Sequence, residues 1–314
     1  MNSVVFFGTP DFGVPVLQGL VDEGYEIKAV VTQPDKKVGR KQRLTQSPVK
    51  QLAEKLNLPV LQPAHLPKSP ECDQIIAMHA DFLVTAAYGQ FLPTKLLQSA
   101  KIAAVNVHGS LLPKYRGGAP IQYALLNGDT ETGITIMEMV KKMDAGDIYY
   151  QMKCPIEPSD NSGSLFRKLA ILGREALLRV LPKIAAGTAE KTPQDENKVV
   201  FSPNISKAQE QIKLDETAEQ AVNKVRALNP DPGAYLLLGN KRLKVWAAVS
   251  APDATSLEAG CLVDNKKRFA ISMADHTVLE LQEVQPQGKK RMKISDFLNG
   301  QGSQFAAGEK IVSD

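Results

Sequence analysis

The stretch "SVVFFGTPDFGVPVLQGLVDEGYEIKAVVTQ", residues 3–33, sets the pattern for the N-terminal part of the chain. It joins an apolar run ending at Gly8, a segment with apolar residues at helical spacing, and a second apolar run. Apolar strands that alternate with helices are typical of a parallel sheet covered by helices on both faces. The runs "PVLQP", "DFLVTAAYG", "IAAVNVHG" and "TGITIMEM" continue this alternation. The sequence therefore predicts an α/β fold with a doubly wound, Rossmann-like, mostly parallel sheet.

The C-terminal part of the chain has a different pattern. Residues 189–204 are polar, contain proline and show no period, which is typical of a linker. One helical segment and several short apolar runs follow, and "AYLLLGNKRLKVWAA" has a Gly-Asn turn signal between two of them. We therefore predict a catalytic domain over residues 1–188, a linker over 189–204 and a small OB-like β-barrel domain over 205–314.

Composition excludes several classes of protein. The net charge is only +4 over 314 residues, so no global field requires a nucleic-acid partner. Cys72, Cys154 and Cys261 form no CxxC pair, which argues against a zinc site and a disulfide framework. No basic leader precedes an apolar segment, and no apolar run approaches ~20 residues. We expect a bacterial cytoplasmic protein without a metal or membrane contact and, since no long apolar surface stripe stands out, a monomer.

Two polar residues stand where a buried strand ends. Asn106 and His108 lie in "IAAVNVHG" and, as alternate residues of a strand, share one face. Ligands of open parallel sheets bind at the carboxyl ends of strands. From spacing alone, an Asn and a His satisfied by backbone groups is an equally good interpretation. Asp144 favours a site, because its loop follows "TGITIMEM", which we interpret as another parallel strand ending at the same edge.

These three side chains suit one class of chemistry. The sequence contains no HExxH, nucleophile elbow or P-loop, so the attacking atom would come from a substrate. A carboxamide can donate to a developing oxyanion, an imidazole can move a proton, and a carboxylate can orient the imidazole. This pattern indicates transfer of an acyl-type group between two bound substrates. The turn "GTPDFG" departs from GxGxxG, which disfavours a nicotinamide enzyme.

Two basic clusters point to a larger partner. The segment 33–50 is longer than a routine connection in an α/β unit, and "QGKKRMK" follows near the C-terminus. A solvated surface loop is the ordinary interpretation, and contact with a phosphate backbone is the alternative. Base stacking is not indicated, because neither cluster contains interleaved aromatic residues. The candidate phosphate-binding residues are Lys36, Lys37, Arg40, Lys41, Arg43, Lys289, Lys290 and Arg291.

The sequence resembles the methionyl-tRNA formyltransferases. The resemblance is carried by "FFGTPDFGVPVL", "TQPDKKVGRKQRLTQSPVK", "AAYGQFLP", "NVHGSLLPKYRGGAPIQYALLNGDTETGITIM" and "ALNPDPGAY", and it covers nearly the whole chain. The Asn-x-His, Ser-Leu-Leu-Pro and Asp set is shared with other enzymes that use 10-formyltetrahydrofolate. The sequence departs from the family in the basic arm, where the usual Gly-Arg-Gly-Lys-Lys is Gly-Arg-Lys-Gln-Arg at residues 39–43 and Lys41 replaces the second glycine, and at Asp231, where tryptophan is common.

The resemblance implies a role for each candidate residue. Asn106, His108 and Asp144 would form the catalytic trio, with 10-formyltetrahydrofolate as formyl donor and initiator Met-tRNA as acceptor. The basic arm and the C-terminal domain would contact the tRNA. The residues implied in folate binding are Ser110, Leu111, Leu112, Pro113, Tyr88, Gly89, Phe91 and Leu92.

Two other functions stay open at this point. A formyltransferase that acts on an amino-sugar nucleotide would share "HGSLLPKYRG" but would not need the basic clusters. A tRNA-binding module with a vestigial trio would need neither Asn106 nor His108, and both are intact.

Overall fold

A computed structural model describes residues 1–39 and 42–313 of the chain. Two of the predicted tRNA contacts, Arg40 and Lys41, lie outside these residues. The described chain forms two compact units. The first unit contains Met1–Pro120, Glu131–Pro155 and Phe166–Pro203, and the second contains Ile121–Thr130, Ile156–Leu165 and the chain from Asn204 onward. The domain limits 1–188, 189–204 and 205–314 stay a prediction.

The helices and strands alternate through the first unit and become mostly strands in the second. In chain order they are β1 (Ser3–Gly8), α1 (Gly13–Asp22), β2 (Glu26–Val31), β3 (Lys36–Val38), β4 (Arg43–Thr45), α2 (Pro48–Lys55), β5 (Val60–Leu61), α3 (Pro70–Ala77), β6 (Phe82–Ala86), α4 (Thr94–Leu97), β7 (Ala103–His108), α5 (Pro120–Leu126), β8 (Glu131–Glu138), β9 (Ile148–Pro155), α6 (Ser162–Ala185), α7 (Ala218–Ala227), β10 (Ala234–Leu238), β11 (Lys241–Ala251), β12 (Leu262–Asp264), β13 (Phe269–Ser272), β14 (Val278–Pro286), β15 (Met292–Lys293), α8 (Ile294–Leu298) and β16 (Val312–Ser313).

The first unit is built on a mostly parallel sheet. Over the described part of the chain this sheet has seven strands in the order β5-β2-β1-β6-β7-β8-β9. Strands β5, β2, β1, β6 and β7 run parallel to one another, whereas β8 and β9 are antiparallel to their neighbours. Strand order reverses between β1 and β6, as it does in doubly wound folds. The predicted fold class is confirmed.

The direction of β8 differs from the expectation. We interpreted "TGITIMEM" as a parallel strand, but β8 runs antiparallel to β7. His108 pairs with Thr135, and β8 ends at Glu138, one residue beyond the partner of Asn106 and opposite Val105. The loop at residues 139–147 must therefore return along the sheet to bring Asp144 to His108. An apolar β-branched run does not encode strand direction, so the sequence could not show this.

The two faces of β7 have different environments. Val105 and Val107 are buried on one face, and α6 covers that face so closely that a Cβ on Gly173 would lie 2.8 Å from Val107 Cγ1. Ala104 lies on the other face, within a buried apolar cluster that also contains Phe7, Leu83 and Leu96. Alternation places Asn106 and His108 on this second face, beyond the cluster. On this face of β7, two polar side chains therefore follow the apolar part of the strand.

The second unit contains an antiparallel sheet that curls into a half-barrel. Among the described residues its strand order is β12-β13-β14-β11-β10-β16, and β15 pairs with β14. The predicted Gly-Asn hairpin joins β10 to β11, with Leu238 opposite Lys241. Register shifts between β11 and β14 near Ala247 mark bulges, which bend strands. This architecture agrees with the predicted small β-barrel domain.

Candidate active site

The site begins at the carboxyl end of β7. Asn106 is half-buried and pairs through its backbone with Thr85 of β6 and Met137 of β8. No side-chain hydrogen bond to another described residue engages its carboxamide. His108 is only 5 % exposed. Because strand pairing fixes the backbone of Asn106 and no described residue engages its carboxamide, the carboxamide is suited to donate a hydrogen bond to a bound ligand.

Two contacts orient the His108 ring. Its Nε2 lies 2.9 Å from the backbone oxygen of Tyr115. A carbonyl oxygen only accepts hydrogen bonds, so Nε2 carries a proton and donates it. The other nitrogen, Nδ1, lies 3.8 Å from Asp144 Oδ1. Nδ1 is therefore the nitrogen that can take up or release a proton beside a carboxylate, and this contact can shorten when substrate binds.

Asp144 is held in an unusual backbone conformation. Its φ is +49°, in the left-handed region that aspartate tolerates better than most residues. Its Oδ2 accepts a hydrogen bond of 2.9 Å from the backbone N–H of Gly117. The carboxylate is thus fixed between the 110–117 loop and His108. The structure thus brings Asp144 to His108, and Asn106 lies on the same face of β7, two residues before His108.

The loop after His108 is fastened to β8 and β9. Thr135 Oγ1 donates to the backbone oxygen of Ser110 at 2.7 Å and accepts from the N–H of Leu112 at 3.1 Å. Gln151 donates to the backbone oxygen of Leu112 at 2.9 Å. Neither Thr135 nor Gln151 stood out in the sequence, because a polar residue in a strand carries no sign of what it will contact.

The structure divides the predicted folate residues into buried and accessible ones. Ser110, Leu112, Tyr88 and Leu92 have buried side chains, Leu111 and Pro113 are half-buried, and Gly89 and Phe91 are exposed. Ser110 Oγ donates to the backbone oxygen of Lys114, so its hydroxyl shapes the loop. The buried members could reach a ligand only through backbone atoms. The exposed and half-buried members keep side-chain surface for one.

Tyr88 departs most from the expectation. Its ring lies edge-on to Phe7, with centroids 5.5 Å apart, and burial raises the pKa of its hydroxyl. Its backbone oxygen accepts hydrogen bonds from Thr9 and Gln33. Tyr88 therefore anchors the 87–93 loop in the core, while Phe91 in the same loop is 54 % exposed.

The basic arm contains a short hairpin. Strand β3 pairs with β4, with Lys37 opposite Leu44, and the side chains of Lys36, Lys37 and Arg43 are exposed. The hairpin follows β2, so it leaves the sheet at the same edge as Asn106 and His108. Its base is closed by Lys50, whose Nζ lies 2.8 Å from Asp35 Oδ2. That contact lowers the pKa of the Asp35 carboxyl. It also pairs the positive charge of Lys50, which is then less available to a ligand.

The C-terminal basic cluster is partly neutralised. Lys289 and Lys290 are exposed, and Arg291 makes a two-pronged contact with Glu283 at 2.5 and 2.6 Å. This contact lowers the pKa of Glu283. Arg291 also lies 5.1 Å from the ring centre of Trp246. Lys289 and Lys290 are therefore the more available cations of this cluster.

A buried arginine lies behind the site. Arg116 is fully buried, and its Nη2 lies 2.9 Å from Glu196 Oε1, while Lys142 lies 2.7 Å from Glu196 Oε2. The hydrogen bonds from Arg116 and then from Lys142 lower the pKa of Glu196 from its usual 4.5 to about 2. A carboxyl group whose pKa is lowered by folding stabilises the folded state at pH values above its usual pKa. This contribution is lost as the pH falls from 4.5 toward about 2.

The close packing of Gly146 yields a prediction. A Cβ at this position would lie 1.9 Å from the backbone oxygen of Glu138, which cannot rotate away. We expect Gly146→Ala to destabilise the fold by roughly 1–3 kcal/mol and to reduce activity, because its loop carries Asp144. Urea denaturation and kcat measure the two effects. Unchanged stability in Gly146→Ala would show that the loop is not packed as described.

Two kinds of feature are absent from residues 1–39 and 42–313. No group of three or more His, Cys, Asp and Glu side chains is close enough to hold a metal ion over the described ranges. Within the same ranges, no helix combines the length and the apolar character needed to cross a bilayer.

Comparisons with known proteins show the family of the chain. Residues 1–181 match the formyl transferase family, and residues 204–302 match the formyl transferase C-terminal domain. The chain is 69% identical to the methionyl-tRNA formyltransferase of Lactobacillus acidophilus over 99% of both chains. It is 57% identical to that of Latilactobacillus sakei, covering 99% of this chain and 98% of the relative.

Solved structures share the fold at low identity. A sugar 3N-formyl transferase, WlaRD, solved in the presence of dTDP and 5-N-formyl-THF, has a TM-score of 0.68 at 19% identity, covering 92% of this chain and 99% of that one. HypX from Aquifex aeolicus in complex with tetrahydrofolic acid has a TM-score of 0.64 at 16% identity, covering 96% of this chain and 47% of that one. These structures, at 19% and 16% identity, show the fold alone. The relatives at 69% and 57% identity over nearly their full length show that the chain belongs to the methionyl-tRNA formyltransferase family.

Proposed function

We propose that the chain transfers the formyl group of 10-formyltetrahydrofolate to the α-amino group of methionine esterified to initiator tRNA. One observation carries the proposal. Asn106, His108 and Asp144 gather at one sheet edge, in a chain 69% identical to a methionyl-tRNA formyltransferase over its full length. The product, formylmethionyl-tRNA, would serve translation initiation.

The trio would act on a reaction between two bound substrates. The neutral α-amine attacks the formyl carbon, a C–N bond forms, and the carbonyl oxygen becomes an oxyanion. The carboxamide of Asn106 donates a hydrogen bond to this oxyanion. The bond from the formyl carbon to N10 then breaks, and the proton that the amine loses passes to N10. His108 carries this proton on Nδ1, where Asp144 balances the transient positive charge.

The residues next to the trio are suited to hold a folate. The 87–93 loop follows β6, and Thr85 of β6 pairs with Asn106, so the loop leaves the sheet beside the trio. Phe91 offers an exposed aromatic surface, and Gly89, at a φ of +86°, leaves space that a side chain would fill. We propose that these residues, with Leu111 and Pro113, line the donor site.

The basic hairpin would bind the tRNA backbone, which gives a salt-dependent prediction. Simultaneous replacement of Lys36, Lys37 and Arg43 by alanine should weaken tRNA binding and flatten the slope of log K against log salt by roughly 2, at about 0.7–0.9 per lost contact. The kcat at saturating tRNA should stay within about twofold, since these side chains do not act on the reacting atoms. Filter binding at several salt concentrations measures the slope.

The matched control replaces three exposed lysines elsewhere in the first unit. The triple variant of Lys55, Lys95 and Lys101 removes the same charge from other exposed positions. Equal loss of affinity in both triple variants would mean that only the net charge matters, and the hairpin would lose its proposed role.

A competition assay tests the proposed function itself. The enzyme is given 10-formyltetrahydrofolate labelled in the formyl group, together with methionyl initiator tRNA and a UDP-amino-sugar. We expect label on the tRNA-bound methionine. Label on the sugar alone would refute the proposal in favour of an amino-sugar formyltransferase, and label on neither acceptor would refute the reaction.

We also propose that the chain works as a monomer in the bacterial cytoplasm. The relatives named above come from bacteria, and the sequence shows no long apolar surface stripe. Sedimentation equilibrium of the full chain tests the monomer: a mass of twice 34.2 kDa would contradict it.

A further inference from the structure

We propose that Gln194 is a positioning residue that holds residues 139–147, here called the catalytic loop, in the conformation in which Asp144 reaches His108. The inference rests on the proposed function, in which Asp144 supports proton transfer by His108. It assigns a role to residues 191–202, here called the brace, although their composition is that of a linker. Gln194 itself touches no reacting atom.

The side chain of Gln194 bridges two loops. Its Nε2 donates to the backbone oxygens of Asp144 and Gly146 at 2.9 and 2.8 Å. Its Oε1 accepts from Nε and Nη2 of Arg116 at 3.0 and 2.8 Å. A glutamine amide has two N–H donors and two acceptor lone pairs, so all of them are used. The amide is therefore fixed at both ends.

The catalytic loop needs such a support. Asp144 has a left-handed backbone, which costs energy and persists only where neighbouring contacts enforce it. The preceding residues of the loop, Lys141 to Met143, are exposed, and the contact of Lys142 with Glu196 of the brace joins two exposed side chains. The contacts that fix Asp144 are the Gly117 N–H on its carboxylate and Gln194 on its carbonyl.

Arg116 gives Gln194 a rigid base. Its backbone N–H donates to Val200 at 2.9 Å, and its backbone oxygen accepts from Ser202 at 2.8 Å. Its guanidinium is fully buried, and its Nη1 has no hydrogen-bond partner among the described residues, so Gln194 and Glu196 set its position. Because both the backbone and the guanidinium of Arg116 are held, Arg116 restricts the movement of the Gln194 amide that it contacts.

The brace also grips both ends of the catalytic loop. Before the loop, Glu138 lies 2.9 Å from Lys191 Nζ. After the loop, Ile148 and Thr192 exchange two backbone hydrogen bonds of 2.9 Å. Gln194 is the one brace side chain that reaches Asp144 itself among the described contacts. The brace therefore holds both ends of the catalytic loop, and Gln194 holds Asp144 within the loop.

Two variants separate positioning from general stability. Gln194→Ala removes all four hydrogen bonds, and Gln194→Glu keeps the contact with Arg116 but loses the N–H donors to the catalytic loop. Since a shift of about 1 Å can cost 100-fold, we expect both variants to lower kcat by roughly 10- to 100-fold with KM for either substrate changed less than about twofold. Lys198→Ala, at an exposed brace position paired with Asp195, is the control and should match the wild type.

A double-variant cycle shows whether Gln194 acts through Asp144. In an Asp144→Asn background, Gln194→Ala should lower single-turnover rates by less than about twofold, because effects of residues that act as a unit are not additive. A role in stability alone would give the same fold-loss in both backgrounds and would overturn the proposal. Wild-type kcat in Gln194→Ala would overturn it too.

Hydrogen exchange tests the same inference without any substrate. Amides of the catalytic loop should exchange faster in Gln194→Ala than in the wild type, while amides of the second unit exchange at the wild-type rate. Unchanged exchange would refute the positioning role. Because this readout needs no acceptor, it can succeed even if the competition assay refutes tRNA as the substrate.

Discussion

Asn106→Ala is expected to lower kcat for formyl transfer by roughly 100-fold or more, which is the usual cost of one lost oxyanion donor. The reason is that the Asn106 carboxamide, unlike His108 and Asp144, is not engaged with another described residue and can be directed at the oxyanion. The KM for tRNA should change little, because the interaction arises mainly in the transition state. Steady-state kinetics with both substrates varied provides the measurement.

The fold should survive this change, so the loss can be assigned to chemistry. Asn106 is held in the sheet by backbone pairing with Thr85 and Met137, which alanine keeps. Asn204→Ala, at an exposed position, is the matched control and should have wild-type kinetics. A kcat for Asn106→Ala within about threefold of the wild type would remove Asn106 from the mechanism.

Asp144→Asn is the second variant with a large expected effect. Asparagine tolerates the left-handed backbone and can still accept the hydrogen bond from Gly117, so the loop should keep its shape. It cannot balance a positive charge on His108. We expect kcat to fall by roughly 100-fold or more, as for loss of a general acid–base function.

The control for this variant lies in the same loop. Asp147→Asn removes the same charge three residues away, where the backbone oxygen and not the carboxylate contacts Glu138. It should keep most of the activity and the wild-type melting temperature. If Asp147→Asn and Asp144→Asn lose activity equally, the loop needs its charge and not a carboxylate beside His108.

Much of the fold was predictable because local patterns carried it. A serine followed by a proline is typical of a helix start, and α2 begins at Pro48, with Ser47 accepting a hydrogen bond from the N–H of Lys50. Alternation along β7 placed Asn106 and His108 on one face. The spacing could not distinguish a catalytic pair from a structural one, and the contact between His108 and Asp144 supports the catalytic interpretation without testing it.

Other features could not be predicted, for a physical reason. The direction of β8 depends on what its neighbours pair with, and an apolar run is compatible with either direction. The contacts of Gln194 and Arg116 join positions 78 residues apart in sequence. A polar segment with no period reads as a linker, and only its packing shows that it fastens the catalytic loop.

The most direct test of the central claim is a rapid-quench single turnover with donor labelled in the formyl group. If Asn106, His108 and Asp144 support direct transfer, label leaves the folate and reaches the methionyl-tRNA in one phase, and no labelled protein accumulates. Label bound covalently to the protein before it reaches the tRNA would contradict direct transfer between two bound substrates.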